Sequence, residues 1–321
     1  MSKRGIRLLA GGTCAIAVLL AGCGGGEEGA APDEGPTRLT VQETAGVPSA
    51  FVSFGIEEGI FEKHGLEVDL QTTQGGAATI PALVSGDVEV GGSNVASLLL
   101  ASSKGLPVRA IAGGTMAQAA GQKDFAALLA ADGVSSPEEL EGGTIAVNTL
   151  NNIAEVALKA TLEEKGVDPA RLKLSEVPFP EMHAALAGGS VDAALSIEPF
   201  ATQSIQEGHA VLGYPYVETE PELQVGAYAV TDQFAAGDPD TVKAFQAAIT
   251  ETASYVDAHE DEFRTFLSET AKIEPDLAEK IVLPTWTGEV NAASVENTAK
   301  LMQRYGLVDS EIDTGKLLQG G

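Results

Sequence analysis

Two cysteines, Cys14 and Cys23, and one tryptophan, Trp286, stand in a chain of 321 residues whose aromatic content is only 5%. With so few thiols, a disulfide framework and a thiolate metal cage are both excluded once Cys14, which lies in an N-terminal apolar run, is set aside. The four histidines, His64, His183, His209 and His259, are scattered, and none forms an H-x-x-x-H or Cys/His pattern, so a metal site finds no support. A G-x-S-x-G elbow and a G-x-x-x-x-G-K-[ST] phosphate loop are also missing. Nothing therefore calls for a cofactor, and no enzyme class is indicated. Basic residues are scarce: 19 Lys and Arg against 46 Asp and Glu give a net charge of −27. Such a surface repels nucleic acid and anionic lipid, although a pocket's local field can oppose the net charge.

What is present is ordinary globular material, 44% hydrophobic and 20% charged. With 37 glycines and few aromatics, the core has to be built from small and aliphatic side chains. The length suffices for two lobes of roughly 100–150 residues each.

The first residues are set apart from that core. Lys3, Arg4 and Arg7 precede Leu8 to Leu20, an apolar run too short and wrongly flanked for a spanning helix, so residues 1–22 read as an export signal. Leu20-Ala21-Gly22-Cys23 resembles the lipobox of bacterial lipoproteins, which implies cleavage before Cys23 and a diacylglycerol on its thiol. The plainer alternative is that Cys23 merely lies near a secretory cleavage site. Residues 23–36, rich in Gly, Pro and acids without periodicity, read as a flexible tether. The expected location is extracytoplasmic, with the chain anchored to the cell membrane by lipidated Cys23.

From Arg38 onward the pattern is regular. Leu39–Gln42 reads as a strand, Ala50–Lys63 as a helix, Leu66–Leu70 as a strand, Ala77–Val84 as a helix stopped near Gly86, Val88–Gly91 as a strand and Ala96–Lys104 as a helix. The order restarts at Thr144: a strand at 145–147, a helix over Asn152–Lys165, a strand over Leu172–Val177, a short helix over Glu181–Ala187 closed by Gly188-Gly189, and a strand over Val191–Leu195. Such alternation predicts parallel βαβ units. The two runs also share a skeleton. ALVSGDVEVGGSN (82–94) and ALAGGSVDAALSIEP (185–199) both read Ala-Leu, two residues, Gly, one residue, Val, an acid, three residues, Ser. In each, Gly closes a helix in the left-handed conformation and Val enters the sheet. The strand ends then carry small or polar residues where open α/β sheets bind ligands.

Five stretches carry a resemblance to a known family: Phe54–Leu70, Gly75–Asn94, Glu139–Asn148, Glu181–Phe200 and Ala229–Val256. The chain resembles the extracytoplasmic solute-binding proteins of ATP-binding-cassette importers for nitrate, sulfonates such as taurine, and thiamine-pyrimidine precursors. The resemblance implies an α/β, two-lobed fold of periplasmic-binding-protein type II. Each lobe would be a mainly parallel sheet flanked by helices, with a ligand cleft between lobes. Lobe one would hold residues 37–128 and 226–321, and lobe two residues 129–225. The implied partners are a small-molecule solute, an ABC permease and its ATPase, and the membrane through the lipid anchor; a monomer is expected. Two other readings stay open: a ligand-sensing lipoprotein without transport, and an enzyme like the eukaryotic pyrimidine synthases that share this fold, which are cytosolic.

Loop positions nominate the ligand contacts. They are Pro48 and Ser49 before the first helix, Gly76 and Ala77 with Gly75 in the next loop, Ser93 and Asn94 at a strand end, and Thr115 and Met116 after the apolar run VRAIAGG. From the second region come Asn148, Thr149, Asn151, Asn152 and Glu198. Each polar one is either a contact or a helix cap. Glu198 either starts a helix beside Pro199, where negative charge is favoured, or faces the cleft and favours an amine or protonated ring. Trp286 either covers a planar ligand or packs in the core.

Overall fold

The computed structural model describes residues 35–269 and 272–319. The expected export signal, Cys23 and the tether up to residue 34 lie outside the described residues. The chain builds one sheet, crosses to a second, and returns. β1 (Thr37–Thr44) leads through α1 (Val47–Glu57) and the single-turn α2 (Ile60–Lys63) to β2 (Leu66–Thr73), α3 (Gly76–Ser85), β3 (Val90–Asn94), α4 (Val95–Ser103), β4 (Val108–Gly113) and the two-residue β5 (Thr115–Met116). The helix expected over 50–63 is two helices, because Gly59 adopts φ 70° between them.

The second region comprises β6 (Ala126–Ala130), β7 (Thr144–Val147), α5 (Ile153–Glu164), β8 (Lys173–Glu176), α6 (Phe179–Ala187), β9 (Ala193–Ile197), α7 (Phe200–Gln206), β10 (Val211–Gly213) and α8 (Pro215–Thr219). The return segment holds β11 (Gly226–Thr231), α9 (Asp232–Gly237), α10 (Pro239–Ala258), α11 (Glu260–Glu269), α12 (Pro275–Ala278), β12 (Thr285–Trp286), α13 (Ala292–Arg304) and α14 (Thr314–Leu318). No helix among the described residues is long and apolar enough to cross a membrane.

The two sheets share one plan. The first has the order β2-β1-β3-β11-β4, and the second, read from its other edge, β8-β7-β9-β6-β10. In each, the first three strands are parallel and the fourth is antiparallel to both its neighbours. That fourth strand is in both cases the one that arrives from the other sheet's territory. The fold is therefore α/β and two-lobed, with sheets that are mixed rather than mainly parallel, two parallel and two antiparallel pairings in each. The helices α1, α10 and α11 cover one face of the first sheet with Phe51, Phe54, Phe245 and Phe263 against Val41, Ile111 and Val230. Its other face, with Leu83 and Leu98, joins a continuous apolar cluster that includes Leu128, Ile145 and Leu195 of the second region. Each such buried side chain contributes about 1.5–3 kcal/mol.

The sequence echo is an echo of hydrogen bonds. Gly86 N–H donates to Leu83 O and Asp87 N–H to Ala82 O; Gly189 N–H donates to Leu186 O and Ser190 N–H to Ala185 O. Both glycines have positive φ, 81° and 65°. The acid that follows each Val also has one job: Glu89 Oε2 accepts the Thr40 N–H and Asp192 Oδ2 the Thr144 N–H, both at 2.7 Å. Each carboxylate thus pins its turn to the first parallel strand of its own sheet. Because these turns consume residues 86–88 and 189–191, the strands start at Val90 and Ala193, later than the sequence pattern placed them.

Candidate ligand-binding site

The carboxyl ends of β1, β3, β7 and β9 face a cavity walled from both sheets. It encloses about 50 Å³, several times the ~10–15 Å³ that one ordered water needs, so its walls suit a compact solute. From the first-sheet side come Glu43, Thr44, Pro48, Gly75, Ser93 and Asn94. From the second come Asn148, Asn152, Ile153, Phe179 and Ile197. The crossing segments add Gly114, Thr115, Phe125 and Tyr216, and β11 with the residue before it adds Val225, Gly226 and Ala227.

The lobes touch directly around this cavity. Asn94 caps α4, its Oδ1 accepting the Ser97 N–H at 2.9 Å, and the same oxygen accepts the Ile153 N–H at the start of α5 at 3.2 Å. Asn148 Nδ2 donates to Gln74 O at 2.9 Å. Asn152 caps α5 through the Glu155 N–H at 3.1 Å, and its Nδ2 donates to Asn148 Oδ1 at 2.8 Å and Thr149 Oγ1 at 3.0 Å. Asn152 thereby sets the orientation of Asn148, while Asn94 Nδ2 has no acceptor among the described residues and borders the cavity.

Of the sequence candidates, Pro48, Ser93, Asn94, Thr115, Asn148 and Asn152 stand on the cavity wall. Ser49, Gly76, Ala77, Met116, Thr149, Asn151, Glu198 and Trp286 do not. Ser49 donates to Gly46 O in the first turn of α1. Gly76 packs against Ser93, where a Cβ would overlap the hydroxyl. Ala77 and Asn151 are exposed, Met116 pairs with Thr285, and Thr149 serves Asn152. Trp286 is core: its ring stacks on Phe51 at 4.9 Å and meets Phe263 edge-on at 5.5 Å.

Glu198 is buried away from the cavity. Its Oε2 accepts the Thr202 N–H at 3.0 Å, and Oε1 accepts the Thr202 hydroxyl at 2.6 Å and the Val282 N–H at 3.1 Å. Its carbonyl accepts the Val47 N–H at 3.2 Å. Burial raises its pKa against these donors. The carboxyl that does reach the cavity is Glu43, which sequence reasoning missed. It continues the inward phase Leu39, Val41, Glu43 of β1, a strand that the sequence pattern ended two residues too early, at Gln42. Burial pushes Glu43 up to about 7, opposed by donation from the Thr44 N–H and the Tyr228 hydroxyl. Phe125 and Tyr216 were missed too; no local pattern marks them, since only the crossings bring them to the wall.

Comparison with known proteins gives the same picture. A family model described as NMT1/THI5 like matches residues 49–263. The chain is 28% identical over 196 residues to the taurine-binding periplasmic protein of Escherichia coli (strain K12), covering 61% of this chain and 59% of that one. It is 29% identical over 143 residues to the formylaminopyrimidine-binding protein of Halalkalibacterium halodurans, covering 44% and 42%. The matched region thus spans less than two thirds of either relative. Among solved structures, the alkanesulfonate-binding protein SsuA from Xanthomonas axonopodis pv. citri, bound to MOPS, superposes with a TM-score of 0.76 at 14% identity, over 88% of this chain and 98% of that one. At that identity the likeness speaks for the fold.

Proposed function

The chain belongs to the NMT1/THI5-like family, and from that premise we propose that it is the solute-binding component of an ATP-binding-cassette importer. It would capture a compact organic solute between its lobes and present the closed form to a permease and its ATPase. One observation carries the reading: a cavity whose walls come from both sheets, with Asn94 and Asn148 reaching across the gap. Solute contacts on both sides favour the closed state by their extra free energy there, which is all that a capture device requires. A micromolar affinity amounts to about 8 kcal/mol, within reach of a few hydrogen bonds and some apolar burial. Ser93, Asn94, Thr115 and Asn148 supply the polar contacts in this reading. In this reading lobe one takes residues near 37–125 with 226–321 and lobe two those near 126–225, a boundary slightly earlier than 128 because β6 pairs within the second sheet. The domain works as a monomer, held at the membrane by lipid on Cys23.

Thermal unfolding in the presence of taurine, alkanesulfonates, nitrate, aminopyrimidines and small amines tests the binding role. At least one class is expected to raise the melting temperature, and silence from all of them at millimolar concentration would remove the role for those classes. Cys23→Ser is expected to move the protein from the membrane to the soluble extracytoplasmic fraction. Expression beside the adjacent permease genes, if there are any, with uptake of the solute that binds, separates transport from sensing.

A further inference from the structure

We infer that Phe179 is the length stop of the cavity: the solute lies with its polar end on lobe one, and the Phe179 ring in lobe two sets how long its apolar end can be. The inference rests on the proposed solute-binding role and names the residue that selects among solutes of one head group.

The sequence echo supplies the argument. The alignment of Ala82 with Ala185 runs back without a gap to the start of the same helix, where Gly76 of α3 meets Phe179 of α6. Run forward to the strand ends, it sets Asn94 against Ile197. Asn94 and Ile197 both border the cavity, and the two helix starts reach it through Gly75 and Phe179. The lobes thus bring the same two places of one plan to a shared space, and fill them with opposite chemistry.

Lobe one keeps its helix start bare. A Cβ on Gly76 would overlap the Ser93 hydroxyl, so no side chain fits there, and the Gly76 N–H has no acceptor among the described residues. Lobe two closes the equivalent place. Pro178 and Pro180 flank Phe179, bring no N–H to the start of α6, and hold its backbone stiffly. The Phe179 ring is 5% exposed. The lobe-two amides, Asn148 and Asn152, are already engaged with each other, with Gln74 O and with the Glu155 N–H. A solute atom on this side therefore meets mostly hydrocarbon, from Ile153, Phe179 and Ile197.

Size makes the ring decisive. A cavity of about 50 Å³ has room for roughly three to five water-sized groups, so a polar head leaves space for a short tail only. Each methylene that still fits is worth about fourfold in affinity, and a tail that meets the ring gains no more, because packed side chains yield only with strain. Phe179 is the largest residue on the lobe-two wall. Ile197 is built into β9 and Ile153 is held by Asn94, whereas Phe179 stands on a helix start and pairs with no other ring among the described residues. Trimming it lengthens the space while the sheet and the lobe contact stay.

The test is calorimetric titration of the detergent-solubilised full chain with two series that share a tail and differ in the head, n-alkanesulfonates and n-alkylamines of one to six carbons. In at least one series affinity is expected to rise about fourfold per carbon, peak by about the third carbon, and then fall about tenfold or more. Phe179→Ala is expected to move that peak to a tail about two carbons longer, Phe179→Leu to move it by about one, and Phe179→Trp to shorten it. A ring that serves only the fold would weaken binding at every length and leave the peak where it was, so the peak position reads the inference and no single variant's folding decides it. A peak unmoved in folded variants, or wild-type affinity that climbs through all six carbons, overturns the inference and leaves the solute-binding role standing. If neither series binds the wild-type chain or Phe179→Ala, the inference falls, and the solute-binding role falls for these classes with it.

Discussion

The side-chain oxygen of Asn94 accepts backbone N–H groups from two helices in different lobes, Ser97 in α4 and Ile153 at the first position of α5. One atom thus caps a helix and ties the lobes together. Asn94→Ala is expected to cost about 1 kcal/mol through the lost cap, with further loss from the stranded Ile153 N–H. It is also expected to weaken solute binding about tenfold, because one of the cavity's donors goes with it. Asn94→Asp keeps both acceptor roles and should recover most of the stability but not the donor. Urea unfolding and calorimetric titration of the two variants measure the two effects separately.

Glu198 makes a different kind of joint. Its carboxylate collects the Thr202 N–H, the Thr202 hydroxyl and the Val282 N–H, and so binds the start of α7 to the loop before β12. Glu198→Ala leaves the buried Thr202 N–H and the part-buried Val282 N–H without partners and is expected to destabilise by about 2–3 kcal/mol in denaturant unfolding. Glu198→Gln retains one acceptor oxygen and should cost less. Neither change should alter solute affinity in a protein that still folds, since Glu198 is off the cavity wall.

The two most perturbed carboxyls set a pH dependence. Burial raises Glu43 from 4.5 to about 7 and Asp124 from 3.8 to about 7, against N–H donors that include Phe125 and Val217 for Asp124. An acid whose pKa is raised by folding contributes most below its unfolded pKa, and that contribution is lost as pH rises through the folded value. Between about pH 4 and 7 the folded protein therefore holds more protons than the unfolded chain, and stability falls across that window. The fall is on the order of 3–4 kcal/mol per group at most. Several exposed acids, Glu138 and Glu139 among them, are shifted down and pull the other way, but solvent screening makes them minor. The solute-free protein should melt higher at pH 5 than at pH 8, and Glu43→Gln should flatten part of that slope. A melting temperature that rises steadily from pH 5 to 8 would contradict the assignment.

Trp286, the one tryptophan, is a structural probe. Stacked on Phe51 and edge-on to Phe263, it closes the aromatic core beneath α1 and α11. Trp286→Ala is expected to cost about 3–5 kcal/mol, and Trp286→Phe much less, with solute affinity retained in the latter. Its fluorescence should report unfolding in denaturant and respond little to solute.

Much of the fold was legible because it rests on local chemistry. Ala-Leu-x-x-Gly-x-Val is a helix stop followed by a buried strand wherever it occurs, and the two copies do form matching turns. The strand-end amides Asn94 and Asn148 could be placed for the same reason. Glu43 was lost by a single residue of strand length, although the alternation Leu39-Val41-Glu43 would have flagged an acid in an apolar phase. For Glu198 and Trp286 the sequence left contact and structural roles both open, because the partners that place them, Val282 and Phe51, lie far away in sequence. Phe125 and Tyr216 depend on where two distant crossings meet, which no local pattern encodes.

Gly75 lies where the lobes meet, against the Asn148 amide. It has φ 153°, a conformation that side chains rarely adopt, and a Cβ there would lie 2.6 Å from Asn148 Nδ2. That amide is the group that donates across the gap to Gln74 O. Gly75→Ala should therefore disturb the Asn148 contact by two routes, backbone strain at residue 75 and collision with the amide. Because the clash exists only when the lobes are together, it penalises the closed state and leaves the open state with the strain alone. A penalty confined to closure lowers affinity by the fraction of molecules that can still close. The expected result is about tenfold weaker solute binding with a smaller change in melting temperature, and a larger radius in small-angle scattering at subsaturating solute. Asn148→Ala in the same background removes the amide that the methyl would strike, and should restore part of the lost compaction. Two independent, additive losses would instead show that residue 75 acts through local strain.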